Sequence, residues 1–255
     1  ASARRLRGSG SSRATSRTGC ACRPTFYAVA NELRPDLVVH CAVSYSDPNL
    51  WHRDADTNVS GCINAALVAK HHGARLVYFQ TALPPISSYA ISKIAGEQYI
   101  HLSGVPALVF RLANIYGPRN LSGAVPTFYK RLAAGQPCTV VDTYRDTVYI
   151  DDLVDLVTWA VASPTIGKFD VCSGGRYPIR FYYDAVAAAM GVSAVPTELP
   201  HAGDDVAEMD LDPLETEETF GWWAETPLEE GIARAVAWYE AHGVGDTYTH
   251  LALAS

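Results

Sequence analysis

At 255 residues, 48% hydrophobic and 18% charged, the chain has enough apolar material for one large or two small domains with a full core. Its net charge of −7 speaks against nucleic acid or an anionic membrane as the main partner. No apolar run reaches the roughly 18 residues of a membrane span, and six scattered cysteines lack any Cys-x-x-Cys or zinc spacing, so a reducing cytoplasm and no metal site are expected.

Residues 1–24 read as a disordered or non-native segment, because Arg4, Arg5, Arg7, Arg13, Arg17 and Arg23 stand among Ser and Gly with little to bury. One account of this acid-free text is a shifted reading frame of a GC-rich gene. A short helix is predicted over Phe26–Leu33. Leu37-Val38-Val39-His40-Cys41 then forms a continuous apolar run, the pattern of a strand buried on both faces of a parallel sheet. Asp56 to His72 has helical spacing and Gly73 stops it. Arg75 to Gln80 is a strand, the run through Tyr89 to about Gly104 a helix, and Ala107 to Leu112 a third strand. This alternation predicts an α/β fold with a doubly wound parallel sheet. After Leu112 the rhythm breaks. Asn114–Asn120 reads as loop, followed by a helix over Pro126–Ala134 and strands over Cys138–Val141 and Thr147–Ile150. Asp151-Asp152 is expected to cap a helix to Ala162. A strand over Asp170–Ser173, a helix over Phe181–Met190, a Pro- and acid-rich stretch over Pro196–Pro213 and a helix over Pro227–His242 complete the chain. The expected division is a partial sheet domain over 25–113 and a smaller α/β lobe over 114–255 that returns segments to the sheet.

Tyr89 and Lys93 lie four residues apart in the predicted helix and so share a face. A phenol is a poor base at neutral pH, and a nearby ammonium is expected to favour its ionised form. Thr81 ends the preceding strand, at the sheet edge where open α/β folds place their chemistry. A Tyr-x-x-x-Lys match alone carries little weight.

Six landmarks in order give the pattern its specificity: Val39-His40-Cys41-Ala42, Thr57-Asn58-Val59, Thr81, Tyr89 with Lys93, the run Arg111 to Arg119, and the run Arg145 to Asp152. Over about residues 34–242 the chain resembles the extended short-chain dehydrogenase/reductase family, specifically its NAD-dependent nucleotide-sugar epimerases and dehydratases. The resemblance implies a Rossmann-like sheet and NAD as cofactor. Cys41 and Ala42 would pass under its nicotinamide side, and Lys93 with Tyr89 would hold the nicotinamide ribose. Tyr89 would exchange a proton with a sugar hydroxyl that Thr81 also binds. For a nucleotide-sugar substrate it implies Arg145 or Arg119 at the diphosphate, Asn114 on a phosphate oxygen, Val125 and Phe128 beside the base, and Asp204 from a His201-Ala202-Gly203-Asp204 remnant of the family's Arg-x-Gly-Asp. Phe128 reads equally well as core. A homodimer through the Asp56–His72 and Tyr89–Gly104 helices is implied as well.

Thr81 is followed by Ala82-Leu83, without the acidic pair of many dehydratases or the Glu of the decarboxylating relatives. That favours epimerisation of a UDP-hexose or UDP-hexuronic acid, or ketoreduction with NADPH. Two departures stand out. The family's Gly-x-x-Gly-x-x-Gly turn and its following ribose-binding acid have no counterpart, since Gly8-Ser9-Gly10 lacks both the spacing and a preceding strand. The strand at 37–41 would then be a bare sheet edge. Between Thr81 and Tyr89 lie a shortened loop and Pro84-Pro85; an eight-residue reach of about 26–29 Å still lets the hydroxyls converge but leaves enclosure of the sugar open. A non-catalytic remnant that binds a nucleotide sugar or a partner without NAD is the third reading.

Overall fold

The computed structural model describes residues 23–200 and 211–248. Four parallel strands form the central sheet: β1 (Leu37–His40), β2 (Arg75–Thr81), β3 (Ala107–Leu112) and β8 (Gly167–Val171), in the order β1-β2-β3-β8. Parallel neighbours require crossovers. One is supplied by the helix Trp51–His72 and another by α4 (Ser88–Ser103). The α/β class and the parallel sheet are as the sequence predicts. The burial of β1 is not: it is the sheet edge among the described strands, and Val39 is 42% exposed.

The first long helix starts earlier than its periodicity suggests. A short α2 (Trp51–Asp54), a π-helical segment (Ala55–Ser60) and α3 (Gly61–His72) run on through right-handed junctions. Gly73 (φ 66°) and Gly104 (φ 72°) take the left-handed conformation and stop α3 and α4, as read from the sequence. Small residues let the two helices approach the sheet. Cys62, Ala65, Ala66 and Ala69 pack with Leu76, Tyr78, Ile100 and Val109 on one face. On the other face Val77, Leu108, Phe110, Phe169 and Val171 meet Leu153 and Leu156 of α6 (Ile150–Ala162) and Trp222.

The polar side of β8 is tied to α4. Buried Glu97 takes Lys168 Nζ at 2.9 Å and the Gln80 amide at 2.6 Å. Burial alone would raise the Glu97 pKa, but these hydrogen bonds and the ammonium outweigh it and hold it below the usual carboxylate range. A depressed carboxylate adds stability above its unfolded pKa, and that stability is lost as pH falls through the lower folded value. Glu97→Gln should therefore cost stability at about pH 7, and the gap to wild type in thermal unfolding should close as the pH is lowered to about 3.

The second lobe is built from α5 (Ala124–Ala133), α7 (Ile179–Ala189) and α9 (Leu228–His242), packed around Val125, Phe128, Tyr182, Tyr183, Val186, Ile232 and Tyr239. Short strand pairs accompany it; the sequence reading places strands at two of the members, over Cys138–Val141 and Thr147–Ile150, and leaves the other four as loop. β4 (Asn114–Tyr116) pairs with β7 (Thr147–Tyr149), β6 (Tyr144–Arg145) with β9 (Tyr177–Pro178), and β10 (Thr197–Leu199) with β5 (Thr139–Val141). The seven-residue α8 (Leu214–Phe220) is likewise not predicted, and β8 begins at Gly167 instead of Asp170. Asp152 does not cap its own helix. Its carboxylate accepts from the Thr226 amide (3.0 Å) and hydroxyl (2.8 Å) and pins the start of α9. No helix among the described residues is long and apolar enough to cross a membrane.

Candidate active site

Thr81 stands at the carboxyl end of β2, with its amide donating to its neighbour Gln80 Oε1 at 2.8 Å. Ser87 caps α4, its extended backbone and side chain accepting from the Ala90 amide at 3.2 Å. This start puts Tyr89 in the first turn and Lys93 one turn on. The Thr81 hydroxyl and the Tyr89 phenol face each other closely enough to interact, so the shortened loop does let them converge. Pro84, Pro85 and Ile86 form its exposed tip.

Lys93 is buried, and its ammonium lies 4.1 Å from the centroid of the Tyr78 ring. Its backbone carbonyl accepts from Tyr78 Oη (2.9 Å) and Gln80 Nε2 (3.2 Å), which fixes α4 against β2. Burial brings the Lys93 pKa down to about 8, against small opposing pulls from Cys62 and Cys41. Burial also pushes the Tyr89 phenol up to about 12; the Thr81 hydroxyl opposes the rise and the Asp54 carboxylate adds to it. The expected lowering by Lys93 is thus corrected. Its charge is felt instead by His40 and Cys41, and desolvation dominates at the phenol.

A buried polar network holds this arrangement, and the sequence reading assigned it no role. Asn58, in the π-helical segment, accepts from the Ser44 amide (2.8 Å) and donates to the Ser44 carbonyl (2.8 Å) and Ser92 Oγ (2.9 Å). Ser92 in turn donates to the Tyr89 carbonyl at 2.8 Å. Ser44 Oγ donates to buried Asp54 at 2.8 Å. The Thr57-Asn58-Val59 motif was the available signal; no local pattern reveals that the wider π turn aims Asn58 inward. Close approach of α4 to this segment needs Gly96. A Cβ there would lie 2.5 Å from the Asn58 carbonyl oxygen and 2.8 Å from Cys62 Sγ. Gly96→Ala should lower unfolding free energy by about 1–3 kcal/mol in denaturant titration, whereas a spacious site would show almost no change.

The remaining candidates lie on separate elements. Cys41 and Ala42 are exposed just beyond β1, with Cys41 inside the field of Lys93. Asn114 is exposed on β4 and donates to the Asp146 carbonyl at 3.3 Å. Arg119 is exposed and takes a left-handed φ of 68°. Arg145 donates to Thr143 Oγ1 and the Tyr144 carbonyl, each at 2.7 Å. Val125 (3% exposed) and Phe128 (5%) belong to the lobe core, Phe128 edge-on to Tyr183 at 5.4 Å. For these two side chains packing replaces the expected base contact, because α5 turns its apolar face inward. Asp204 and the rest of the His201–Asp204 stretch lie outside the described residues.

The donor set suits the nicotinamide-ribose half of a dinucleotide. Among the described residues no side-chain oxygen accepts a hydrogen bond from Lys93, which leaves its N–H groups for ribose hydroxyls, and Tyr89 stands a turn away. The pyrophosphate and adenosine half finds no glycine-rich turn among the described residues.

A parallel sheet with a hydroxyl at one strand end, facing a phenol and an ammonium one turn apart, defines a Rossmann-like α/β protein with its polar site at the carboxyl edge of the sheet. The chain belongs to the NAD dependent epimerase/dehydratase family, whose profile matches residues 21–172. It is 30% identical over 246 residues to a UDP-glucose 4-epimerase of Mycolicibacterium smegmatis, covering 82% of this chain and 77% of that protein. The fold superposes with a TM-score of 0.83 on the Bordetella bronchiseptica enzyme WbmG in complex with NAD and UDP, at 35% identity over 93% of this chain and 83% of WbmG. A Thermus thermophilus UDP-glucose 4-epimerase in complex with NAD matches with a TM-score of 0.76, at 26% identity over 86% of this chain and 82% of the enzyme.

Proposed function

We propose that this protein epimerises a nucleotide sugar, a UDP-hexose or UDP-hexuronic acid, through a transient keto-sugar, with NAD as cofactor. The observation that carries the proposal is the convergence of the Thr81 hydroxyl on the Tyr89 phenol with Lys93 one helical turn away. NAD, when bound, supplies the hydride exchange at the sugar carbon and a positive ring charge that favours the ionised phenol. Thr81 binds the reacting sugar hydroxyl, and Tyr89 takes its proton and later returns it. Lys93 holds the nicotinamide ribose and keeps positive charge next to the site below about pH 8. In this reading Arg145 and Arg119 meet the diphosphate, and Asn114 binds a phosphate oxygen. The M. smegmatis relative and the UDP-bound WbmG support UDP as the nucleotide. Exposed Leu67, Ile91, Tyr99 and Leu102 on α3 and α4 support a homodimer through those helices.

A second reading, nucleotide-sugar binding without NAD, is favoured by the missing glycine-rich turn. Equilibrium dialysis of the folded protein against UDP and against NAD separates the two. Saturable uptake of both is expected. Uptake of UDP alone would establish the second reading, and uptake of neither would remove both.

A further inference from the structure

The segment after α9 packs back on the lobe and reaches the sheet domain. Lys130 of α5 donates to the Gly245 carbonyl (3.2 Å) and pairs with Asp246 (2.9 Å). The Tyr248 amide then donates to the Leu121 carbonyl at 3.1 Å, and Tyr248 forms an isolated parallel bridge with Ser122, just before the start of α5. From there its side chain reaches the sheet domain. The Tyr248 and Tyr45 hydroxyls are 3.2 Å apart and their rings meet edge-on at 5.1 Å. Ser122 also faces the Tyr45 hydroxyl, and the Tyr45 ring lies 5.6 Å from that of Tyr89. Three aromatic rings thus form an unbroken wall from the proton-exchanging phenol to the amino end of α5, joining the two lobes. Tyr45 and Tyr248 are only half-buried, so each keeps ring surface for a ligand. The Thr81–Tyr89 loop is too short to provide such cover, and its tip is exposed.

We infer that Tyr248, held against Tyr45 beside Tyr89, forms a wall of the sugar subsite and so determines how tightly the hexose of a nucleotide sugar is held. The inference rests on the proposed nucleotide-sugar reading and deepens it. An amphipathic ring offers a face to the apolar side of a hexose and a hydroxyl to its polar rim. It should contribute to binding of the sugar and not to binding of the nucleotide, which engages the other lobe.

Calorimetric titration of the full chain with UDP and with UDP-glucose tests this, using wild type, Tyr248→Ala and Tyr248→Phe. Wild type should bind UDP-glucose more tightly than UDP. Tyr248→Ala should leave the Kd for UDP within about twofold and weaken UDP-glucose about tenfold, the size expected when one apolar group is removed from a pocket wall. Tyr248→Phe, which keeps the ring, should retain most of the preference. Equal weakening of both ligands would make the segment a scaffold, and unchanged affinity for both would leave it outside the site; either result overturns the inference. If wild type binds neither ligand, the nucleotide-sugar reading itself fails and takes the inference with it.

Discussion

Tyr89→Phe is expected to reduce turnover by about 10²–10⁴-fold, the usual contribution of a positioned acid–base group, while UDP-sugar affinity stays within a few fold. The change removes one oxygen. The ring remains beside Tyr45 at 5.6 Å, and the α4 backbone is still held by Ser87 and Ser92. What is lost is the hydroxyl that faces Thr81 in a desolvated position, with its pKa raised to about 12 by burial. Because Tyr89 is a protonated phenol at neutral pH on its own, it donates a proton readily but accepts one only where added positive charge lowers its pKa. Steady-state rates read with parallel binding titrations check this. A loss of affinity equal to the loss of rate would point to a binding role instead.

Asn58→Ala should have the largest effect on stability, about 3–5 kcal/mol in denaturant unfolding, and should impair turnover at the same time. The Asn58 amide satisfies three groups: the Ser44 amide, the Ser44 carbonyl and Ser92 Oγ. Alanine would leave these buried groups without partners, each costing roughly 1–3 kcal/mol unless water enters. It would also release Ser92 from one side, and with it the carbonyl of Tyr89. Circular dichroism at increasing urea gives the stability, and the residual rate under folding conditions gives the coupling to the site. A stable variant with full activity would show that the network is incidental to the catalytic arrangement.

Much of the fold was legible in the sequence because it depends on local signals. The apolar runs of β1, β2 and β3 and the glycine stops at Gly73 and Gly104 fall at or within a residue or two of where they were read. The short strands β4, β6, β9 and β10 were not, since two or three residues become a strand only when the other lobe presents a partner. The π-helical segment was hidden for a related reason: its register is set by the inward pull of Asn58, not by periodicity. In the site, Tyr89 and Lys93 share α4 as their spacing implies, and the end of β2 brings Thr81 to Tyr89. The electrostatic consequence was misjudged. Helical spacing says nothing of depth, and burial raises the phenol and lowers the ammonium. Phe128 had two equal readings from sequence, and the packing of α5 against Tyr183 decided for core. Tyr45 and Tyr248, 203 residues apart, carry no motif at all.

The proposed chemistry requires Thr81, Tyr89 and Lys93 to exchange a proton with a nucleotide sugar while NAD exchanges the hydride. A proton NMR time course of the folded chain with NAD and either UDP-glucose or UDP-glucuronic acid reads that conversion without a coupling enzyme. A second anomeric signal, that of the epimer, is expected to grow with wild type and to be absent with Tyr89→Phe. A folded wild-type protein that binds UDP and NAD yet leaves both sugars unchanged over days, or a Tyr89→Phe variant that converts them at the wild-type rate, would contradict it.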